Sequence, residues 1–92
     1  MDITEYCDVL NLELTILYYP NQGGRWCADI KGAEIKENAS SGILTSAHGN
    51  GPTPEEAIDD YVQQIRGKLL VLNASGANRL EYTVPMHICG SE

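Results

Sequence analysis

The chain has 92 residues, 42% hydrophobic and 21% charged, which is the balance of one globular domain over residues 1–92 and not of a disordered segment. Thirteen Asp and Glu against six Lys and Arg give a formal charge of -7. That balance excludes electrostatic capture of nucleic acid or of an anionic membrane, because both need basic residues.

A chain this short buries only about 60–65% of the surface its unfolded form exposes. One core layer between a sheet and a helix is expected, and a deep enclosed active site is not. The opening "MDITEYCDVL" has no basic stretch followed by a long apolar run, so no secretory signal is expected and a cytoplasmic location is. No stretch approaches the roughly 18 consecutive apolar residues that span a bilayer. Cys7, Cys27 and Cys89 are odd in number and share no recognisable spacing, so they read as reduced thiols.

Along the chain, residues 2–10 can open a short helix, with Asp2 as N-cap and Ile3, Tyr6, Cys7 and Leu10 on one side. "NLELTILYY" then takes up the two-residue period of a strand. Leu12, Leu14, Ile16 and Tyr18 form its better-buried face. "PNQGG" at 20–24 is a turn, and "RWCADIKG" is the second strand of an antiparallel hairpin, extending towards Ile35. A polar loop, 36–42, precedes a third strand, "ILTSAH" at 43–48, which "GNGP" at 49–52 breaks.

The main helix follows. Thr53 suits the N-cap, Pro54 the first helical position and Glu56 the reciprocal position of a capping box. Ala57, Ile58, Tyr61, Val62 and Ile65 form one apolar stripe, and Gly67 is placed to end the helix in a left-handed conformation. "LLVLNA" at 69–74 is a continuous apolar strand, central or covered on both faces, and "RLEYTV" at 79–84 an outer strand. The expected fold is therefore α+β: a single-layer antiparallel sheet of about five strands on one main helix, in the order (α)βββαββ.

Glu55, Glu56, Asp59 and Asp60 fall on the flank and outer side of the main helix. Acids in a first turn are ordinarily a solvated face stabilised by the helix dipole, each by about 0.3–1 kcal/mol. The sharper reading is a negative patch, shared with Asp2, Glu5 and Asp8, that docks on lysines or arginines of a partner protein. Tyr18 and Tyr19 point to opposite faces of their strand, so Tyr19 can form an apolar patch with Leu17 and Cys27 on the open sheet face. Ordinary packing is the plainer account of these aromatics.

"HIC" at 87–89 places His87 and Cys89 on one side of an extended segment. The C-x₂₋₄-C pairs of structural zinc sites are missing, so neither a metal nor another cofactor is expected. A catalytic pairing of a cysteine with His48 or His87 would rest on geometry that spacing does not supply, and no catalytic residue is assigned. The glycine-rich stretches "NQGG" and "HGNGP" do not follow the phosphate-loop pattern and read as turns.

The βββα run ending in "GNGPTPEEAIDDYVQQI", Gly49 to Ile65, resembles the HicB antitoxin domain. Such a resemblance implies a sheet that covers a partner toxin. The phrases typical of that family's first two strands are not evident, and its usual DNA-binding segment is not expected here. The α-βββ-α order is also similar to the double-stranded RNA-binding domain, but acids stand where that family places lysines, which argues against RNA. "EEAIDDYVQQIRGKLLVLNA" followed by "YTVP" resembles small accessory proteins of tailed bacteriophages and prophages. This last resemblance implies a protein that blocks host defence, anti-CRISPR-like, by occupying an effector site.

The expectation is thus a small acidic binding protein without enzymatic activity. Its contact residues would be Glu55, Glu56, Asp59, Asp60, Tyr19, Asp2 and Glu5, and its partner a protein with a basic surface. A HicB-like antitoxin module and a small enzyme with an unrecognised site are the alternatives. The exposed edge of the third or fifth predicted strand leaves a homodimer open.

Overall fold

The structure, a computed structural model, describes residues 1–90; Ser91 and Glu92, the end of the tail, lie outside the described residues. The elements are α1 (Ile3–Leu10), β1 (Leu14–Tyr19), β2 (Arg25–Ile30), β3 (Ala33–Lys36), β4 (Gly49–Gly51), α2 (Pro54–Ile65), β5 (Leu69–Leu72) and β6 (Leu80–Thr83), with a 3₁₀ turn at Pro20–Gln22. The class is α+β. The single five-stranded sheet is not what forms. The strands make two antiparallel three-stranded sheets, in the orders β1-β2-β4 and β3-β5-β6.

The division begins at Lys31–Gly32. Pairing of the hairpin ends with the Lys31 N–H donating to the Glu13 carbonyl at 2.9 Å. Gly32 then takes φ 75°, a left-handed conformation that turns the chain out of the first sheet. The segment expected to extend β2 to Ile35 instead becomes β3 and pairs with β5, Ala33 opposite Leu72 and Lys36 opposite Leu69.

The predicted strand 43–48 is reduced to one bridge, in which Thr45 and Ile35 exchange two backbone bonds of 2.9 Å. Ile43, expected within that strand, is 75% exposed. The third strand of the first sheet is β4, Gly-Asn-Gly, where the sequence implied a break. The reason is steric. A Cβ on Gly49 would strike the Ala57 carbonyl and the Tyr61 backbone, and one on Gly51 would crowd Glu56 and Ala57. Glycines let α2 lie directly on β4, an approach that a side chain would prevent.

α2 forms as its sequence signals require. The Thr53 hydroxyl accepts the Glu56 N–H at 3.2 Å and donates to the Glu56 carboxylate at 3.2 Å. After Ile65 the chain leaves the helix through Arg66 and Gly67, the latter at φ 72°. Ala57, Ile58, Tyr61, Val62 and Ile65 are all buried. They meet Ile3, Tyr6 and Cys7 of α1, Ala28 and Ile30 of β2, and Ile35, Leu70, Val84 and Ile88 in one core. The α1 helix starts at Asp2, whose carboxylate accepts the Glu5 N–H at 2.8 Å, and stops at Asn11 in the left-handed region.

The better-buried face expected of the first strand holds only at its start. Leu12 and Leu14 pack on the core, but Ile16 and Tyr18 are 37% and 50% exposed. α2 seats on β4 and β2, and β1 lies at the far edge of that sheet, so the second half of β1 is uncovered.

The outer face of the second sheet carries Lys36, 8% exposed, whose ammonium meets the Glu81 carboxylate at 3.1 Å. Arg79 also bonds Glu81, at 3.0 Å. The Lys36 hydrogen bond, ahead of an opposing effect of burial and a further bond from Arg79, holds the Glu81 carboxyl below its usual range. A carboxyl with a lower pKa in the folded than in the unfolded chain stabilises the fold above the carboxylate range. That contribution fades as the pH falls through the folded pKa. Urea unfolding followed from neutral pH downwards should therefore show Glu81→Gln with a lower midpoint at neutral pH and a flatter acid limb. Lys36→Met combined with Glu81→Gln, which removes the buried charge and the pair together, should recover the stability that Glu81→Gln alone loses.

Candidate functional site

On α2, at about 100° per residue, Glu55, Asp59, Glu56 and Asp60 fall within about 140° of the helix circumference. Glu55, Glu56 and Asp59 are exposed, and none of these acids makes an ion pair among the described residues. Glu56 also serves the N-cap. Asp59 lies over Gly90, where a Cβ would collide with its carboxylate. Asp60 has a different role. It is half-buried, and its Oδ2 accepts the Asn50 N–H of β4 at 2.8 Å and the Gln64 side-chain amide at 3.2 Å. Its charge is tied to the fold and is not a free part of the surface.

Asp2, the N-cap of α1, joins this region through the tail. The Ile3 N–H donates to the Cys89 carbonyl at 2.9 Å, and Asp2 bridges to Cys89. One residue further on, Gly90 sits under Asp59. Asp2 and Asp59 thus flank the same short segment. Glu5 is exposed in the first turn of α1.

Tyr19 is not on that surface. Gly49 and Gly51 face α2 and pair with Ala28 and Trp26, which fixes the helix-covered face of the first sheet. Tyr19 pairs with Arg25 and Leu17 with Cys27, so both point to the opposite, open face. The expected apolar patch of Tyr19, Leu17 and Cys27 does share one face, but the sheet stands between it and the α2 acids.

The open face also holds Gln22, His48 and Asn50, which sequence reading did not bring to Tyr19, Arg25 and Cys27. Tyr19, Gln22, Arg25, Cys27, His48 and Asn50 line a shallow groove of about 320 Å³. The Arg25 guanidinium stands 5.9 Å from the Tyr19 ring centroid. His48 Nδ1 lies 2.9 Å from Asp29 Oδ2. The available signal was the odd-numbered alternation of β2, which puts Arg25, Cys27 and Asp29 on one side. What placed His48 and Asn50 beside them was the β4 register, which the sequence concealed behind its glycines.

A thiol, an imidazole and a carboxylate on one face invite a nucleophile. The chemistry here is unfavourable to one. Burial pushes the Cys27 thiol above its ordinary pKa and Asp29 adds to the rise, against a smaller pull from Arg25. An activated cysteine needs the reverse. Cys7 is buried, with its thiol raised to about 11. His87 is exposed, and Cys89 Sγ lies 3.5 Å from the Met1 carbonyl. No group of three His, Cys, Asp or Glu among the described residues could hold a metal ion. No described helix is long and apolar enough to cross a membrane.

Comparison with family models, curated proteins and solved structures finds no match for this chain.

Proposed function

We propose that this protein works without catalysis, by binding another protein through a basic surface of that partner. The observation that carries the reading is the row Glu55, Glu56 and Asp59, exposed on α2 and without a cationic partner among the described residues. A helix dipole accounts for Glu55 and Glu56 in the first turn. It does not account for Asp59, because the effect falls off within that turn. Asp2, whose segment bridges to the tail beside Asp59, widens the negative area.

Carboxylates held in a row on a rigid helix can occupy a basic surface that otherwise holds a phosphate backbone. Together with the resemblance to small phage proteins, this favours an inhibitor of a nucleic-acid-handling effector of bacterial defence. The test is retention of bacterial lysate proteins on the immobilised chain and on the Glu55→Gln, Glu56→Gln, Asp59→Asn variant. These replacements keep the shapes of the N-cap and of the Gly90 contact. The wild type should hold a basic, nucleic-acid-binding protein that elutes as salt rises and that nucleic acid displaces. The variant should hold it at least about tenfold less, while unfolding at nearly the same urea concentration. Equal retention by both would remove the proposal.

A HicB-like antitoxin is the second reading. It is favoured by the order β1-β2-β4 with α2 laid across one face, which leaves the groove around Tyr19 and Arg25 open. That reading predicts a small toxin partner whose binding is lost on Tyr19→Ala and Arg25→Ala and survives neutralisation of α2.

A further inference from the structure

The two sheets have four edges, and an unprotected edge is a template for another strand. Three of the four are closed. On β4, Asp60 accepts the Asn50 N–H at 2.8 Å and Gln64 donates to the His48 carbonyl at 2.8 Å, so two helix side chains stand in for a neighbouring strand. On β3, Thr45 takes both backbone groups of Ile35. On β6, the Tyr6 hydroxyl donates to the Thr83 carbonyl at 3.1 Å, and the strand carries the Arg79–Glu81 ion pair. The edges suggested by sequence are thus unsuitable: 43–48 is not a strand, and β6 is capped and charged.

β1 differs in every respect. It is six residues long, Leu-Thr-Ile-Leu-Tyr-Tyr, without a charge or a proline. Among the described residues no hydrogen bond reaches its outer side. Ile16, Leu17 and Tyr18 are 37%, 50% and 50% exposed, so apolar surface shows on both faces of the strand.

We propose that β1 is the pairing edge of a homodimer, in which two copies align Leu14–Tyr19 antiparallel and join two three-stranded sheets into one of six. A two-fold axis perpendicular to the sheet keeps each face on its own side, so residues facing each other must share parity. The centre is then Ile16 or Leu17. Charge selects Ile16. In that register Glu13 of one copy lies opposite Tyr19 of the other, with Arg25 beside that tyrosine on the next strand. Strands are about 4.8 Å apart, so Glu13 and Arg25 stand about 10 Å apart at Cα on the same face, within reach of their side chains. Both are exposed, and neither has an ion-pair partner within its own copy among the described residues. Symmetry makes the contact twice, which offsets locally the repulsion between two chains of formal charge -7. Centring on Leu17 would move Glu13 opposite Asn21 and forgo it. Because the interface is isologous and the other edges are closed, assembly stops at two.

Sedimentation equilibrium of the full chain over a range of concentrations tests this. The wild type should be dimeric. Ile16→Lys, which sets two like charges face to face at the axis, should be monomeric with unchanged circular dichroism. Should that variant misfold, the exposed pair decides. Glu13→Arg and Arg25→Glu should each weaken the dimer about tenfold, and the two together should restore it. A wild type that stays monomeric at every concentration overturns the proposal, including the case in which β1 pairs only with a strand of another protein. So does a dimer that neither single charge reversal weakens. Neutralising Glu55, Glu56 and Asp59 touches none of these contacts, so this inference and the proposed function fail separately.

Discussion

Gly49→Ala is expected to cost about 3 kcal/mol or more and to leave the chain partly or wholly unfolded. The added methyl would meet the Ala57 carbonyl and come within 2.5 Å of the Tyr61 amide nitrogen. Those are backbone atoms of α2, and no rotamer change moves them aside. Relief requires the helix to lift off β4. Lifting it breaks the Asp60 and Gln64 bonds to that strand and uncovers Ala28, which is fully buried. Asn50→Ala, on the same strand but with its side chain on the open face, should cost less than about 1 kcal/mol. The comparison, read by urea unfolding, separates close helix approach from a general intolerance of β4 to change. A Gly49→Ala protein as stable as the wild type would mean that α2 is not seated this closely.

The same contact explains what the sequence conveyed and what it hid. α2 was legible because local signals agreed: Thr53, Pro54 and Glu56 at the start, a stripe of five buried residues, and Gly67 at the end. α1 and the hairpin were legible for the same reason, since Asp2 and the Pro20–Gly24 turn act on near neighbours. β4 was not, because its glycines answer to a helix that follows them in the chain, and a glycine pair reads locally as a break. Nor was the division into two sheets, because the strand fate of Ala33–Lys36 is settled by pairing with Leu69–Leu72, over thirty residues on. In the candidate site, the exposure of Glu55, Glu56 and Asp59 followed from helix periodicity. The tie of Asp60 to β4 did not, since it depends on an edge that no local pattern revealed. Separation of Tyr19 from the acids by the sheet likewise needed the register of both neighbours of β2.

Tyr61 should be the most informative side chain of the core. It is 1% exposed, and its hydroxyl accepts the Ile30 N–H at 3.1 Å, joining the middle of α2 to the end of β2. Tyr61→Phe keeps the ring and strands that buried N–H, so the expected cost is about 1–3 kcal/mol. Tyr61→Ala removes the ring too and should cost about 3–5 kcal/mol. The two variants also divide the alkaline limb of stability. Burial pushes the Tyr61 hydroxyl up to about 12, against the lowering effect of the Ile30 N–H, with nearby Asp29 adding to the rise. Tyr6 is likewise raised to about 12, by burial first. A folded pKa above the unfolded 10.0 gives stability that is whole below the unfolded value and is lost as pH climbs through the folded one. Unfolding midpoints followed upward through that window should fall steeply for the wild type and less steeply for Tyr61→Phe, which retains the shares of Tyr6 and of the buried Cys7 thiol. If the phenylalanine variant declines as fast as the wild type, the Tyr61 hydroxyl ionises no harder in the fold than out of it, and the link between α2 and β2 is weaker than its geometry implies.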